Sequence, residues 1–351
     1  MKNNIIGQLL LFVIGFAALT QNTQAAKIKR KPSSCTPASA QTSLVMDSKT
    51  GEILHAQNER LKVFPASLAK LMTLKLTFEA LETGKLTLRR QLYVSQNAEK
   101  MPPSKLGLKK GSSISVADAI NALIVKSAND GAVVLAEGIG GSEANFAKLM
   151  NNKAKQLGMH DTNFENASGL HHPIQKTTAI DLAKLSLSLK RDHPRFYPLF
   201  SQTSFDFKGV TINGHNRVMA NYIGAEGLKT GFTCPAGFNL ITSASRGNKA
   251  LIAVVTGSNN RGHRDQKMVA LLDKHFDVYK PTKLKTIATL SKNNVAKLQA
   301  VKVKKPIQKV KQGPVIVAKL IKVKNIPKKR ISNIALLKLK RKTTAARNIA
   351  T

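Results

Sequence analysis

Residues 65–73 read Pro65-Ala66-Ser67-Leu68-Ala69-Lys70-Leu71-Met72-Thr73 and contain the only Ser-x-x-Lys tetrad in the chain. This spacing places the Ser67 hydroxyl and the Lys70 amine on one side of a helix, one turn apart. A serine oxygen is a weak nucleophile until a base removes its proton, and a lysine that its surroundings keep neutral is such a base. The tetrad alone makes the chain a candidate acyl-transfer enzyme, because a lysine-rich sequence produces such tetrads by chance.

Two further motifs follow the tetrad in a fixed order. Ser127-Ala128-Asn129 lies 60 residues after Ser67, and Lys229-Thr230-Gly231 lies 102 residues after Ser127. Ser-x-Asn recurs at residues 95–97, 258–260 and 291–293, and Lys-Thr-Gly recurs at residues 49–51. Context separates these copies, since residues 49–51 lie in a predicted hairpin turn and Ser95 opens a polar stretch. The ordered set resembles the signature of penicillin-binding proteins and serine β-lactamases.

The phrases Ala167-Ser168-Gly169-Leu170 and Gly227-Leu228, the latter directly before Lys229, extend the resemblance over about residues 42–276. The chain is similar to low-molecular-mass penicillin-binding proteins of the D-alanyl-D-alanine carboxypeptidase type, peptidase family S11. That resemblance implies an α/β (α+β) fold of the penicillin-binding transpeptidase and serine β-lactamase type, with an antiparallel sheet flanked by helices and a helical subdomain. It also implies removal of the terminal D-alanine from peptidoglycan stem pentapeptides, inhibition by β-lactams, and no cofactor or metal.

The resemblance assigns a role to each motif residue. Ser67 is the nucleophile, Lys70 the general base and Ser127 the proton relay to the departing amine. Asn129 holds the substrate's backbone amide, while Lys229 and Thr230 bind its terminal carboxylate, with Arg264 assisting. Gly231 allows close approach of the substrate, and the backbone N–H groups of Ser67 and Phe232 are the oxyanion donors. Singly, each residue also fits a structural role such as a helix cap, a turn former or a solvated charge.

Apolar periodicity predicts the elements that carry these motifs. We expect a β-hairpin over residues 43–47 and 52–56, a helix from Ser67 to about Glu82, and two helices within residues 114–137 that join at residues 126–130. A further helix over residues 143–157, strands at 203–207, 238–243 and 251–256, and a helix over 265–276 follow. The order predicts an antiparallel sheet covered by helices, whose first and last elements come together.

Both ends of the chain differ from this body. Residues 1–26 are typical of a secretory signal peptide, with an apolar run after Lys2 and small residues before position 27, although an uncleaved membrane anchor is the alternative. We expect an N-terminal segment over residues 27–41, a catalytic domain over 42–280, and a location outside the cytoplasm, in the periplasm. Residues 281–351 contain 20 Lys and Arg and no Asp or Glu, so this basic tail carries +20 of the net charge of +37.

The basic tail suggests a partner of its own. Alternating apolar and basic residues favour an anionic membrane surface or a cell-wall polymer, and a solvated tail is the alternative. High positive charge also suits nucleic acid, but the signal segment argues against that partner.

Cys35 and Cys234 are the only cysteines. An oxidising compartment permits a disulfide between them, and separate buried thiols are the alternative. His160, His171 and His172 show no metal-binding His-x-x-x-His spacing, and we interpret them as loop histidines.

Other functions remain open from the sequence. A serine β-lactamase needs a residue that activates the deacylating water, and Glu165 is the nearby candidate. A D,D-endopeptidase acting on crosslinked peptides would use the same motifs. A basic protein that binds a cell-envelope polymer is the non-enzymatic alternative.

Overall fold

The computed structural model describes residues 41–276. The predicted signal peptide at 1–26, nearly all of the segment at 27–41, the basic tail at 281–351 and Cys35 lie outside the described residues. Those predictions, and the domain boundaries that depend on them, stay predictions.

The described residues form nine strands and eight α-helices. The strands are β1 (Thr42–Asp47), β2 (Ile53–Gln57), β3 (Gln91–Tyr93), β4 (Ser113–Ser115), β5 (Ser204–Phe207), β6 (Val210–Asn213), β7 (Ala225–Thr233), β8 (Gly237–Arg246) and β9 (Lys249–Ser258). The helices are α1 (Lys70–Glu82), α2 (Gln96–Lys100), α3 (Val116–Asn121), α4 (Asn129–Gly140), α5 (Glu143–Gln156), α6 (Ala179–Asp192), α7 (Arg217–Asn221) and α8 (Arg261–Phe276).

Five strands form the main sheet in the order β2-β1-β9-β8-β7. Every neighbouring pair is antiparallel, and β1 pairs with β9, the first and last of the described strands, so that Val45 lies opposite Ala253. Strand β7 therefore forms one edge of the sheet, where its outer side is open to another chain.

Helices cover both faces of this sheet. Leu251, Ala253 and Val255 of β9 pack towards α8, whereas Ile252 and Val254 pack into the larger core with α1 and α6. Because successive side chains of a strand point to opposite faces, a strand covered on both sides is apolar throughout. This requirement explains the unbroken run Ala250-Leu251-Ile252-Ala253-Val254-Val255 in β9.

Helix α1 lies inside the molecule. Ten of its 13 residues are buried, among them the charged residues Lys70 and Lys75. The helical cluster formed by α2 to α5 packs on one side of α1, and α6 lies between α1 and the sheet. The first turn of α1 is thus fixed from all sides, which suits a segment that has to hold reactive groups in place.

The predicted fold class is confirmed, as are the opening hairpin, the helix over 143–157, the strands at 238–243 and 251–256, and the last helix. Three details were wrong. Ser67 lies in a 3-10 turn, Ala66–Ala69, that precedes α1. Residues 113–115 form β4, so the first helix of the predicted pair begins at Val116. Lys229 lies within an edge strand, β7, that the sequence prediction did not include.

The sequence prediction also missed whole elements, including α6. Thr178 accepts a hydrogen bond from the Asp181 N–H and caps α6, a signal that the sequence did contain. Within residues 41–276, no helix combines the length and the apolar character needed to cross a membrane.

Candidate active site

The predicted nucleophile lies in a tight turn with an unusual backbone. Ala66 adopts a φ of 48°, and the neighbouring side chains of Leu68 and Ala69 are fully buried. A non-glycine residue in the left-handed region stores strain that the surrounding packing has to sustain. This turn leaves the Ser67 side chain partly accessible on the cleft side while its neighbours anchor it in the core.

The close approach of Gly169 to the Ser67 turn explains why the Ala167-Ser168-Gly169-Leu170 motif contains a glycine. A Cβ atom at Gly169 would lie 1.8 Å from the carbonyl oxygen of Ala66, and Gly169 itself has a φ of 81°. Only glycine permits this backbone approach behind the nucleophile turn.

Lys70 is completely buried and holds three hydrogen-bond partners. Its Nζ atom lies 3.1 Å from the Ser67 Oγ atom, 2.7 Å from the Asn129 Oδ1 atom and 2.6 Å from the Ser168 carbonyl oxygen. Burial lowers the pKa of Lys70 well below its usual value, and the nearby cation Lys229 lowers it further, against the opposing effect of Asp130. A neutral amine donates to the two carbonyl-type oxygens and leaves its lone pair towards the Ser67 hydroxyl.

Ser127 and Lys229 form a second pair across the cleft. The Lys229 Nζ atom donates to the Ser127 Oγ atom at 2.8 Å and to the Thr230 carbonyl oxygen at 3.0 Å. Burial and the neighbouring Arg264 lower the pKa of Lys229 to about 7. Such an amine exchanges protons readily near neutral pH. Ser127 follows a π-helical turn, and its left-handed backbone, with a φ of 61°, ends that turn before α4 begins at Asn129.

Asn129 and Asp130 fasten one wall of the cleft. The Asn129 side chain accepts from Lys70 and donates through Nδ2 to the Pro102 carbonyl oxygen at 2.8 Å. The buried Asp130 carboxylate accepts hydrogen bonds from the backbone N–H groups of residues 106, 107 and 108 at 2.8 to 3.0 Å. Helix α4 thereby holds the loop that contains Pro103 and Ser104, two residues of the cleft lining.

Strand β7 forms the opposite wall. A Cβ atom at Gly231 would lie 3.2 Å from the Pro65 carbonyl oxygen and 3.3 Å from the Ser67 backbone nitrogen, so the strand passes close to the nucleophile turn. Phe232 is 47% exposed and packs on Phe238 with a centroid separation of 4.2 Å. Arg264 is buried, and the Asp265 carboxylate accepts from its Nε and Nη2 atoms at 2.9 and 2.6 Å.

One cleft of about 430 Å³ collects the predicted residues. Its lining includes Ser67, Ser127, Asn129, Thr230, Gly231, Phe232 and Arg264. Lys70 and Lys229 reach the cleft through their hydrogen bonds to Ser67 and Ser127. A cleft of this volume suits a small ligand or the end of a peptide.

His215 is a cleft residue that the sequence prediction missed. Its Nε2 atom lies 2.9 Å from the Thr230 Oγ1 atom, although the two residues are 15 positions apart. Loss of solvation in the cleft wall lowers the pKa of His215 to about 4, together with the cations Lys229, Arg261, Arg264 and Lys126. No spacing rule in the sequence links this histidine to the Lys-Thr-Gly motif.

Several other residues singled out from the sequence lie outside the cleft lining. The Glu165 Oε1 atom accepts from Asn163 at 2.6 Å, and His172 Nδ1 lies 4.0 Å from Glu165 Oε2, so this carboxylate belongs to a loop outside the cleft lining. His171 packs edge-on against Phe64. Cys234 follows β7 directly, and its predicted pairing with Cys35 stays a prediction because Cys35 lies outside the described residues.

Comparison with known proteins identifies the family. The family model described as D-alanyl-D-alanine carboxypeptidase, Peptidase_S11, matches residues 26–260. The chain belongs to this D-alanyl-D-alanine carboxypeptidase family. The resemblance inferred from the motifs is therefore confirmed.

Two curated members of the carboxypeptidase family illustrate the likeness. The chain is 39% identical to DacD of Escherichia coli over 236 residues, which cover 65% of this chain and 61% of that protein. It is 33% identical to DacF of Bacillus subtilis over 292 residues, 81% of this chain and 75% of the relative. The match thus spans about three fifths of the length of DacD.

Solved structures show the same fold. Penicillin binding protein 5 from Haemophilus influenzae superposes with a TM-score of 0.66 at 36% identity, over 68% of this chain and 71% of that chain. Penicillin-Binding Protein D2 from Listeria monocytogenes, solved in its ampicillin-bound form, gives a TM-score of 0.63 at 33% identity, over 68% of this chain and 98% of that one.

Proposed function

We propose that the chain is a serine D,D-carboxypeptidase that removes the terminal D-alanine from peptidoglycan stem pentapeptides, and that penicillin-type β-lactams acylate it. The observation that carries this proposal is the position of the buried Lys70 amine 3.1 Å from the Ser67 hydroxyl, in a cleft shared with the Ser127 and Lys229 pair. Family membership and the ampicillin-bound relative support it.

In the acylation step, the neutral amine of Lys70 removes the Ser67 proton as Oγ attacks the carbonyl carbon between the two D-alanines. The backbone N–H groups of Ser67 and Phe232 receive the developing negative charge on the carbonyl oxygen, and one such donor is typically worth about 3 kcal/mol. Ser127 then transfers its proton to the departing amine nitrogen, and the protonated Lys229 restores the proton to Ser127. Lys70 ends this step as a cation and Lys229 as a neutral amine.

Hydrolysis reverses the proton movements. A water molecule takes the place of the departed D-alanine, and the Ser127 and Lys229 pair accepts its proton as it attacks the acyl carbon. Lys70 returns its proton to the Ser67 oxygen as the ester bond breaks. Both lysines then regain their starting states, as a catalytic cycle requires. A pKa near 7 suits Lys229 to this alternation.

The cationic end of the cleft supports the proposed preference for a peptide that ends in a free carboxylate. Lys229, Thr230 and Arg264 lie together, and the residues that line the described cleft include Arg261 but no aspartate or glutamate. A terminal carboxylate would be bound there by charge-assisted hydrogen bonds. The contact between Asn129 and the substrate amide stays a prediction, because the Asn129 side chain already forms hydrogen bonds with Lys70 and the Pro102 carbonyl oxygen.

The test is the release of free D-alanine from an N-acylated peptide that ends in D-Ala-D-Ala. The same peptide ending in D-Ala-L-Ala and a purified crosslinked muropeptide serve as comparison substrates. We expect D-alanine from the first substrate only. Cleavage of the crosslinked peptide without release from the linear one would instead establish an endopeptidase, and rapid turnover of penicillin would establish a β-lactamase.

We further propose that the enzyme works outside the cytoplasm and that residues 281–351 bind an anionic membrane surface or cell-wall polymer. The support is the sequence, with 20 cationic residues and no acidic ones in that segment. Cosedimentation of the mature full-length protein with anionic vesicles at low and high salt tests this binding. Absence of binding at low salt would contradict the membrane proposal.

A further inference from the structure

His215 is a cleft residue to which the proposed catalytic steps assign no role. It lines the cleft together with Thr230, and its Nε2 atom lies 2.9 Å from the Thr230 Oγ1 atom. The residue arrives there from the segment between β6 and α7, so two separate parts of the chain converge on one hydroxyl group.

Among residues 41–276, the charged groups that act on the His215 ring are four cations. Lys126 follows α3, Lys229 belongs to β7, and Arg261 and Arg264 belong to α8. Loss of solvation in the cleft wall and these cations both disfavour a second proton on the imidazole, and together they lower the pKa of His215 to about 4. At neutral pH the ring is uncharged and carries one N–H donor and one acceptor nitrogen.

The position of that single hydrogen decides what Thr230 presents to the cleft. If Nε2 carries the hydrogen, it donates to the Thr230 oxygen, and the threonine keeps its own hydroxyl hydrogen for a ligand. If Nε2 is bare, the hydroxyl hydrogen points to the ring, and the cleft meets only oxygen lone pairs. An anionic ligand is attracted in the first case and repelled in the second.

We propose that His215 is a positioning residue of the carboxylate subsite, which donates from Nε2 to Thr230 and so directs the Thr230 hydroxyl hydrogen towards the substrate's terminal carboxylate. This inference rests on the proposed function, and it deepens that function by adding a determinant of selectivity for a free carboxyl end. His215 acts through Thr230 and exchanges no proton during the reaction.

Three variants of the full-length protein separate this role from a purely structural one. His215→Phe keeps a flat ring without a donor, His215→Gln keeps an N–H donor, and His160→Phe alters an exposed histidine outside the cleft lining. Each is assayed on an N-acyl D-Ala-D-Ala peptide with a free carboxylate and on its C-terminal amide. The rates of acylation by benzylpenicillin and by its methyl ester are measured in parallel.

We expect His215→Phe to lower kcat/KM for the carboxylate peptide roughly tenfold, mainly through KM, because a hydrogen bond to a charged group is lost. The same variant should change kcat/KM for the amide peptide less than about twofold, because that peptide has no terminal carboxylate to bind. His215→Gln should restore most of the carboxylate preference, and His160→Phe should match the wild type. The ratio of the acylation rate by benzylpenicillin to that by its methyl ester should rank the variants in the same order.

Equal losses on both peptides, an unchanged carboxylate preference in His215→Phe, or a Gln variant as poor as the Phe variant would overturn the role of His215. Failure of the proposed function has a different signature. A wild type that benzylpenicillin acylates but that releases no D-alanine would refute the carboxypeptidase assignment, while the ratio of penicillin to ester rates would still test His215.

Discussion

The Nζ atom of Lys70 lies 2.7 Å from the Oδ1 atom of Asn129. The partner is a neutral amide, which accepts a hydrogen bond from the amine without adding a negative charge. Burial and Lys229 can then keep the pKa of Lys70 low. Asn129, the last residue of the Ser-x-Asn motif, thus has a role at the Ser-x-x-Lys motif that spacing alone does not reveal.

Replacement of Asn129 by aspartate tests this relationship. A carboxylate at that position would raise the pKa of Lys70, because an opposite charge favours the cationic form. We expect the acid limb of the kcat/KM profile to move to higher pH in Asn129→Asp, since the neutral base is populated only above its pKa. Asn152→Asp, at an exposed position on α5, should leave the limb unchanged. An unmoved or lowered acid limb in Asn129→Asp would contradict the role.

The depressed pKa of Lys229 predicts a pH dependence of stability. Its folded value of about 7 lies below the value of about 10.4 for an exposed lysine, so the unfolded chain binds more protons between these limits. The free energy of unfolding should therefore rise with pH in this window, by at most about 1.4 kcal/mol per pH unit from this residue. Lys229→Met removes this contribution. The free energy of unfolding of the wild type should therefore increase relative to that of the variant as pH rises from 7 to 10.

Urea unfolding of the wild type and Lys229→Met at pH 7, 8.5 and 10 provides the comparison. A difference in unfolding free energy that stays constant or falls with rising pH would show that Lys229 is not desolvated as described.

Asp130 is predicted to stabilise the cleft wall. Its carboxylate accepts from the N–H groups of residues 106, 107 and 108, and an asparagine offers only one acceptor oxygen. We expect Asp130→Asn to lower the free energy of unfolding by about 2 kcal/mol and to slow penicillin acylation. Thermal unfolding and acylation rates measure the two effects. Asp118→Asn, at the start of α3, is the control, and equal behaviour of the two variants would refute the anchoring role.

Gly169 and Gly84 form a matched pair for the nucleophile turn. Both have a positive φ, 81° and 72°, but a Cβ atom at Gly84 meets nothing within 4 Å, whereas one at Gly169 meets the Ala66 carbonyl oxygen at 1.8 Å. Gly84→Ala should cost about 1 kcal/mol of stability from backbone strain alone. Gly169→Ala should cost clearly more and should impair acylation of Ser67, which follows Ala66. Similar losses of stability and acylation in both variants would contradict the close approach.

The sequence predicted the strongly patterned parts of the fold and most of the residues that line or adjoin the cleft. Apolar periodicity located β8, β9 and α8 because these elements are covered by the core. It missed β7, since that edge strand contains Glu226, Lys229 and two glycines and is polar where it faces the cleft. Motif order located Ser67, Ser127 and Lys229 because their spacing along the chain is characteristic.

His215 and Asp130 were not assigned roles because their contacts depend on the folded chain. The Thr230 partner of His215 is 15 residues away, and the backbone partners of Asp130 lie 22 to 24 residues upstream. No local pattern in the sequence encodes either contact. Only the packing of α4, β7 and the intervening loops brings these groups together.

Acylation by labelled benzylpenicillin shows whether Ser67 is the nucleophile of this protein. The purified protein is incubated with the label, digested, and analysed by mass spectrometry beside the Ser67→Ala and Ser201→Ala variants. Ser201 is an exposed serine outside the cleft lining. We expect one stable adduct per molecule, on the peptide that contains Ser67, in the wild type and Ser201→Ala but not in Ser67→Ala. Folded wild-type protein that acquires no adduct, or an adduct that persists in Ser67→Ala, would contradict this role of Ser67.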